Sequence, residues 1–404
     1  MAKILIVANA SNRARVFLPI ANALLEMGTK VTALSLDRIL GGEASQVLQK
    51  SRIPFLEFPY LGDKKLFDMT KPERFKALRR SRRPVHEILK SVQPDIILLG
   101  AASYVEAVII EEARSLKIKT ALMQDGLRVY EKKGSFQSLR NWLIEKVTAL
   151  VNEWAIALYG VPYYFSPFET NRVDRILLFG SGILDQIARR GIYREKLVVT
   201  GNPLYDSTTP LLSTRAAEMK MFIGIPDAQK VALFGMQCFH KHGVMKLDDE
   251  SGLVRELINI FCEFPNFDLI IKLHPDNDYE YYRNLFSNWN PPSHIHLLKD
   301  EFTPQELLGI ADVFITVYST MALEALVNRV PVITIGFSRA GFELKLGPAA
   351  LHVNTPDELK ILLREWDEKT PIKLQSEAVK VLDRELAHLG FASEKAAEAL
   401  LELE

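Results

Sequence analysis

The chain has little from which to build a disulfide or metal framework. It carries two cysteines, Cys238 and Cys262, in 404 residues. That excludes a disulfide scaffold and fits a reducing cytoplasm. Neither cysteine has a CxxC partner, so no zinc site of that pattern is expected. Charge of one sign is also missing: 50 Lys+Arg balance 50 Asp+Glu. Bulk charge therefore gives no argument for nucleic acid as a partner. No G-x-G-x-x-G follows the first apolar run, which argues against a dinucleotide site. There is no long uninterrupted apolar run. The nearest, residues 147–165, contains Asn152, Glu153, Gly160 and Pro162 and reads as a buried helix plus loop rather than a membrane span. The run Lys3-Ile4-Leu5-Ile6-Val7-Ala8 is too short for a signal peptide and reads as a first buried strand. Repeats at solenoid spacing and low-complexity segments are absent.

What is present is the composition of a globular protein, 48% hydrophobic and 25% charged. The length suits two or three domains. Strand and helix patterns alternate throughout, which predicts an α/β fold with parallel sheets. Strands are expected at 4–7, 31–34, 55–58, 94–100, 120–123, 175–180, 196–203 (ending in a turn), 231–235, 269–273, 313–317 and 329–336. A helix is expected over 16–27, after a polar loop from Asn9 to Arg13, with Gly28 as its stop. The domain boundary falls between about 165 and 230. Drawn at one point, it gives a first domain 1–180 (acceptor side, with the general base) and a second 181–375 (nucleotide-donor side). A terminal helix, 376–404, is expected to pack back on the first domain. Residues 64–90 are strongly basic. They read as a solvated helix face, with an anionic membrane surface or an acidic polymer as the alternatives.

Two stretches carry chemistry. In Asp268-Leu269-Ile270-Ile271-Lys272-Leu273-His274-Pro275 an apolar run delivers His274 to the point where proline ends the strand. That is the carboxyl edge, where open α/β sheets bind ligands. The second is Val313-Phe314-Ile315-Thr316-Val317, then Tyr318-Ser319-Thr320, then Met321-Ala322-Leu323-Glu324. It reads as strand, hydroxyl-rich turn and helix. Ser319 or Thr320 is placed as an N-cap, with free N–H groups in the first turn as an anion site. Glu324, one turn on, can accept two ribose hydroxyls. Each feature has a plainer reading as a capped turn. Lys272 joins the phosphate set from the same strand. Gln237, His240, Lys241 and His242 follow the strand 231–235 to the same edge, and Asn12 and Arg13 follow strand 4–7. Glu343 follows a strand end near donor or acceptor. Asp276-Asn277-Asp278 has the form of a DxD metal pair but reads as a solvated loop.

Three motifs in order resemble those of bacterial sialyltransferases, Kdo transferases and glycerophosphotransferases that build surface polysaccharides. They are the acidic-Gly turn Gln124-Asp125-Gly126, the pair His274-Pro275, and the paired hydroxyls Ser319-Thr320. The resemblance implies a GT-B fold, two Rossmann-like αβα domains facing a cleft. It implies Asp125 as general base for an acceptor hydroxyl, with His274, Pro275, Ser319 and Thr320 on the donor's phosphate. No metal is then needed. No cofactor is implied beyond a CMP-, CDP- or UDP-linked sugar as co-substrate, and the acceptor would be a surface polysaccharide or glycolipid. Order and spacing from Met123 to Pro203 also look like UDP-N-acetylglucosamine 2-epimerase. Two departures weigh against it. Its Gly-Asp-Thr turn is missing at Leu99-Gly100-Ala101-Ala102-Ser103, and its Ser-Gly-Gly turn is replaced by Tyr318-Ser319-Thr320. Three functions stay open: a glycosyltransferase, a sugar-nucleotide epimerase or hydrolase, and a non-catalytic carbohydrate-binding protein on the same frame. The expected place is the cytoplasm, with peripheral contact at the inner membrane face.

Overall fold

Runs of aliphatic residues become the strands of two parallel sheets. In chain order the strands are β1 (Lys3–Ala8), β2 (Lys30–Ser35), β3 (Phe55–Glu57), β4 (Ile96–Leu99), β5 (Lys119–Met123), β6 (Tyr130–Glu131), β7 (Arg175–Leu178) and β8 (Leu197–Val199). They continue as β9 (Lys230–Gly235), β10 (Phe267–Lys272), β11 (Ile295–Leu298), β12 (Val313–Thr316), β13 (Val332–Ile335), β14 (Phe342–Glu343) and β15 (Ala350–Val353). This computed structural model describes all residues except 61, 103, 125–129, 132–135, 164–169, 190, 207–212, 242, 339–341, 345 and 368. For 130–131, 136–146, 342–343 and 369 it describes the backbone alone.

The chain divides into two compact units. The first comprises Met1–Gly126, Gly134–Ser207 and Asp383–Glu404. Its sheet has the order β3-β2-β1-β4-β5-β7-β8, with every neighbouring pair parallel. The middle strands are buried on both faces, as β4 is at all four residues, so they are apolar throughout rather than alternating. Strand order reverses between β1 and β4, and a crevice opens at the carboxyl ends of strands at such a switch point.

The second unit comprises Leu127–Lys133 and Thr208–Leu382. Its sheet runs β11-β10-β9-β12-β13-β15, again all parallel. Here the reversal lies between β9 and β12. A short antiparallel ladder pairs Tyr130 with Glu343 and Glu131 with Phe342.

Several expectations shift. The first unit runs to Ser207 rather than to residue 180, because β8 pairs with β7 and extends the first sheet. The segment Asp383–Glu404 belongs to the same unit. Its helix Ala392–Leu401 packs on the helix Ser11–Glu26. The latter begins five residues before the predicted 16. Asn12 and Arg13 are therefore helical, and what read as a polar loop is a polar first turn. Residues 147–159 form the end of the helix Phe136–Tyr159, and only one face of it is buried: Asn152, Ala155 and Ile156 are buried, while Trp154 and Leu158 are 63% and 67% exposed. β11 and β15 were not foreseen.

Candidate functional site

The carboxyl edge of the second sheet gathers three of the predicted stretches. β10, β9 and β12 are neighbours in that order. The ends of β10 and β12 are therefore about 10 Å apart, two strand spacings. Every residue of β10 is buried. Leu273 is buried as well, and His274 is the first side chain to emerge, half-exposed, ahead of exposed Pro275. The turn is fixed by its own polar groups. Asn277 Oδ1 accepts the His274 N–H at 2.8 Å, and His274 Nδ1 accepts the Asp276 N–H at 3.2 Å. With Nδ1 accepting, the ring proton lies on Nε2, which can donate to a phosphate oxygen.

The DxD-like run is occupied in other ways. Asp278 caps the helix Tyr279–Trp289 by accepting the Tyr281 N–H at 3.2 Å, while Asn277 holds the turn. Lys272 is buried at the strand end, and its ammonium donates to the carbonyls of Leu273 and Lys299. Burial pulls its pKa down.

One carboxylate that sequence reasoning missed organises this edge. Glu250, fully buried in the helix Leu247–Phe261, meets four polar partners. Oε2 takes the His240 N–H at 2.7 Å and faces His240 Nδ1 at 2.9 Å. Oε1 takes Asn277 Nδ2 at 3.0 Å and the Tyr282 hydroxyl at 2.6 Å. The carboxylate ties His240 and the His-Pro turn to one point. The signal in the sequence was an acidic residue inside an apolar stripe: Glu250, Leu253, Val254, Leu257, Ile258 and Phe261 recur at helical spacing.

Cys238, His240 and Glu250 also bring three metal-ligand types within 4.8 Å of one another. The imidazole and carboxylate are at hydrogen-bond distance, however. A tetrahedral metal with ligands at about 2.0–2.1 Å would hold them about 3.3 Å apart, and both Glu250 oxygens already have donors. The group is a hydrogen-bonded hub.

After β12 the backbone turns through hydroxyls. Thr316 Oγ1 accepts the Ser319 N–H at 3.1 Å, and Ser319 Oγ accepts the Met321 N–H at 3.2 Å. The Ala322 and Leu323 N–H groups donate to the carbonyls of Ser319 and Thr320. The first-turn N–H groups are thus engaged within the turn, contrary to the expectation of a free anion site. The helix Met321–Val327 has only seven residues. What this turn offers a ligand is hydroxyls: half-buried Ser319 and exposed Thr320, whose hydroxyl makes no hydrogen bond among the described residues. Gln237 Oε1 accepts the Tyr318 N–H at 3.2 Å, joining the loops after β9 and β12 across the switch point. Glu324 is half-buried, and desolvation pushes its pKa up to about 7.

In the first unit the switch point between β1 and β4 holds a second polar group. Asn9 Nδ2 donates to Glu106 Oε1 at 2.6 Å. Burial raises Glu106 to about 7. Arg13 is 3% exposed, donates to the Gln124 carbonyl at 3.2 Å, and is lowered to about 10 by burial. Gly100 leaves room for it: a Cβ there would meet Arg13 Cδ at 2.6 Å. Gln124 Oε1 accepts the Phe179 N–H at 2.8 Å, so its side chain ties β5 to the end of β7. Asn12 is exposed, and its Oδ1 accepts the Arg13 N–H at 2.8 Å. Asp125, Gly126 and His242 lie outside the described residues, as does the side chain of Glu343.

Comparison with known proteins fits this architecture. A family profile described as alpha-2,8-polysialyltransferase (POLYST) matches residues 62–322. Among solved structures, the UDP-GlcNAc 2-epimerase of Neisseria meningitidis bound to UDP-GlcNAc has a TM-score of 0.64 at 15% identity, covering 99% of this chain and 100% of that one. The S. aureus MnaA-UDP structure gives 0.66 at 15%, covering 100% and 98%. A glycosyltransferase from Rickettsia africae gives 0.63 at 14%, covering 100% and 98%. At such identities these structures show the fold, which is GT-B. No curated protein matches the sequence.

Proposed function

The chain belongs to the alpha-2,8-polysialyltransferase family, and from that premise we propose that it moves a sialyl-type sugar from a nucleotide-activated donor to a glycan acceptor. One observation carries this reading. The family match, residues 62–322, contains the acidic turn at Asp125, the His274-Pro275 pair and the Ser319-Thr320 pair together. The epimerase reading rests on a likeness of fold and on the order and spacing of residues 123–203, and it lacks two of the epimerase turns.

In the reaction the acceptor oxygen forms a bond to the anomeric carbon, and the bond from that carbon to the donor phosphate breaks. Asp125 takes the acceptor proton. The departing phosphate gains charge, which His274 Nε2–H and the hydroxyls of Ser319 and Thr320 receive. Glu324, near the Thr320 turn, takes the ribose hydroxyls. His240 and Gln237 border the same place from β9. No metal enters the reading, since the His274 ring N–H and the hydroxyl donors serve the phosphate and Asp278 caps a helix. A CMP-linked donor suits the family best among CMP, CDP and UDP. A surface-polysaccharide or glycolipid acceptor is met at an anionic lipid surface, and the basic run 64–90 suits that setting.

The test is donor turnover with and without acceptor. CMP-linked sialic acid should release CMP rapidly only when an oligosialic acceptor is added, and chelation of metals should leave the rate unchanged. Asp125→Asn should lower that rate by about 10²–10⁴-fold with little change in CMP affinity. His274→Ala should weaken CMP binding about tenfold or more. An altered nucleotide sugar formed from donor alone would overturn the transferase reading in favour of the epimerase.

A further inference from the structure

The helix Phe136–Tyr159 turns an apolar stripe to solvent. Val147, Leu150, Trp154 and Leu158 are 59%, 61%, 63% and 67% exposed. Their spacings of three, four and four place them on one face. Scattered exposed apolar side chains are ordinary, but four in register, with a tryptophan among them, form a patch.

The stripe borders the basic helix Lys71–Val92 in the same unit. Arg82 Nη1 donates to the Tyr159 carbonyl at 3.4 Å, and the Arg79 guanidinium lies 5.2 Å from the centre of the Tyr159 ring. A cavity of about 550 Å³ is lined from both helices, by Arg79, Arg82 and Arg83 on one side and Leu158 and Tyr159 on the other. Arg82 and Arg83 pair with Glu112 and Glu87. Lys76, Arg79 and Arg80 are exposed and have no carboxylate partner among the described residues.

An apolar face with a tryptophan, edged by cations without counter-charges, is the chemistry of a surface that lies in the headgroup region of a bilayer. These cations call for an anionic occupant, which a lipid surface supplies; a second copy is the alternative that the experiment separates. Among the described residues no helix is long and apolar enough to cross a membrane, so the contact is peripheral. We propose that this face seats the protein on an anionic lipid surface, with Leu150, Trp154 and Leu158 entering the interface and Lys76, Arg79 and Arg80 on the headgroups. The inference rests on the reading of residues 64–90 as lipid-facing and supplies the apolar half that the basic run lacks.

The experiment is sedimentation of the full chain with vesicles of phosphatidylcholine alone or mixed with phosphatidylglycerol. The protein should bind the mixed vesicles. The combined substitution Leu150→Ser, Trp154→Ser and Leu158→Ser should lower partitioning about tenfold or more at constant salt. Changing Lys76, Arg79 and Arg80 to Gln should also lower it and flatten its salt dependence. If the apolar variant partitions like the parent, the stripe has no part and the basic run alone meets lipid. If neither vesicle is bound, both readings fail. A lipid-free dimer that the apolar substitutions dissolve would assign the stripe to a second copy and overturn the proposal. Should the triple variant not fold, quenching of Trp154 by brominated lipid, measured against Trp154→Phe, decides the same question. Absence of a Trp154-dependent signal rejects the proposal.

Discussion

Glu250 and Glu324 are carboxylates of opposite character on the same sheet edge. Glu250 has four polar partners. Glu324 has no side-chain hydrogen bond among the described residues, and burial raises it from 4.5 to about 7. A raised carboxyl pKa means that the fold disfavours the ionised form. The unfolded chain loses its proton near 4.5 while the folded protein keeps it to about 7. Stability is therefore unaffected below about pH 4.5, falls as pH rises through that window, and stays reduced above it. The loss is on the order of 3 kcal/mol. Glu324→Gln should accordingly raise the unfolding midpoint at pH 8 and leave it unchanged at pH 4. Glu106 shifts in the same direction, so only the difference between parent and variant is read, by thermal melts across pH. An equal effect at pH 4 and pH 8 would show that Glu324 does not titrate in this range. Glu250→Gln carries the other sign. An amide places an NH2 where the carboxylate accepts from donors, so we expect a loss of about 1–3 kcal/mol in urea unfolding. Weakened nucleotide affinity at temperatures where the variant is folded should accompany it, because the His-Pro turn hangs on Asn277.

At the scale of elements, the turn after β12 separates two neighbouring hydroxyls. Ser319 Oγ accepts the Met321 N–H, while the Thr320 hydroxyl takes no part in holding the turn. Ser319→Ala should therefore cost both stability, about 0.5–2 kcal/mol, and nucleotide affinity. Thr320→Ala should lower affinity with an unchanged melting temperature. Calorimetric titration with CMP on both variants checks this, and a stability loss for Thr320→Ala alone would reverse the assignment. What the sequence made legible follows from the same physics. Strands buried on both faces are unbroken aliphatic runs, so β1, β4, β10 and β12 stood out, and so did the residues that end them. β11 did not, since His294-Ile295-His296-Leu297-Leu298 mixes polar and apolar at a sheet edge. His296 faces buried Asp268 at 2.7 Å, a contact no periodicity announces. The start of the first long helix was hidden because Asn9 to Arg13 has the composition of a loop, and Arg13 is buried by partners far along the chain. Glu250 was hidden because only the fold brings His240, Asn277 and Tyr282 to it.

For the whole molecule, the path of the chain has consequences of its own. The chain leaves the first unit at Ser207, builds the second, and returns at Asp383. The residue just before the departure secures the return. Asp206 Oδ1 accepts the Ala392 N–H at 2.8 Å, and Oδ2 accepts the Ser393 N–H at 2.6 Å and the Ser393 hydroxyl. It caps the helix Ala392–Leu401 from 186 residues away, where Phe391, the residue before that helix, provides no side-chain cap. Gly201 lets the returning segment approach: its φ is +86° and a Cβ would run into the Ala387 carbonyl. The far end is held by Arg175, which donates to the Ala399 carbonyl and pairs with Glu402 at 2.9 Å. Asp206→Ala removes the cap without touching either sheet. It should cost about 1–2 kcal/mol, confined to the unit that the last helix completes. Hydrogen exchange gives the reading. Amides of Ala392–Leu401, and of the helix Ser11–Glu26 beneath it, should lose protection by about ten-fold or more, while those of β9 and β10 keep theirs. Equal loss in β9 and β10 would mean that the two units open as one cooperative block and that the division at Ser207 carries no energetic weight.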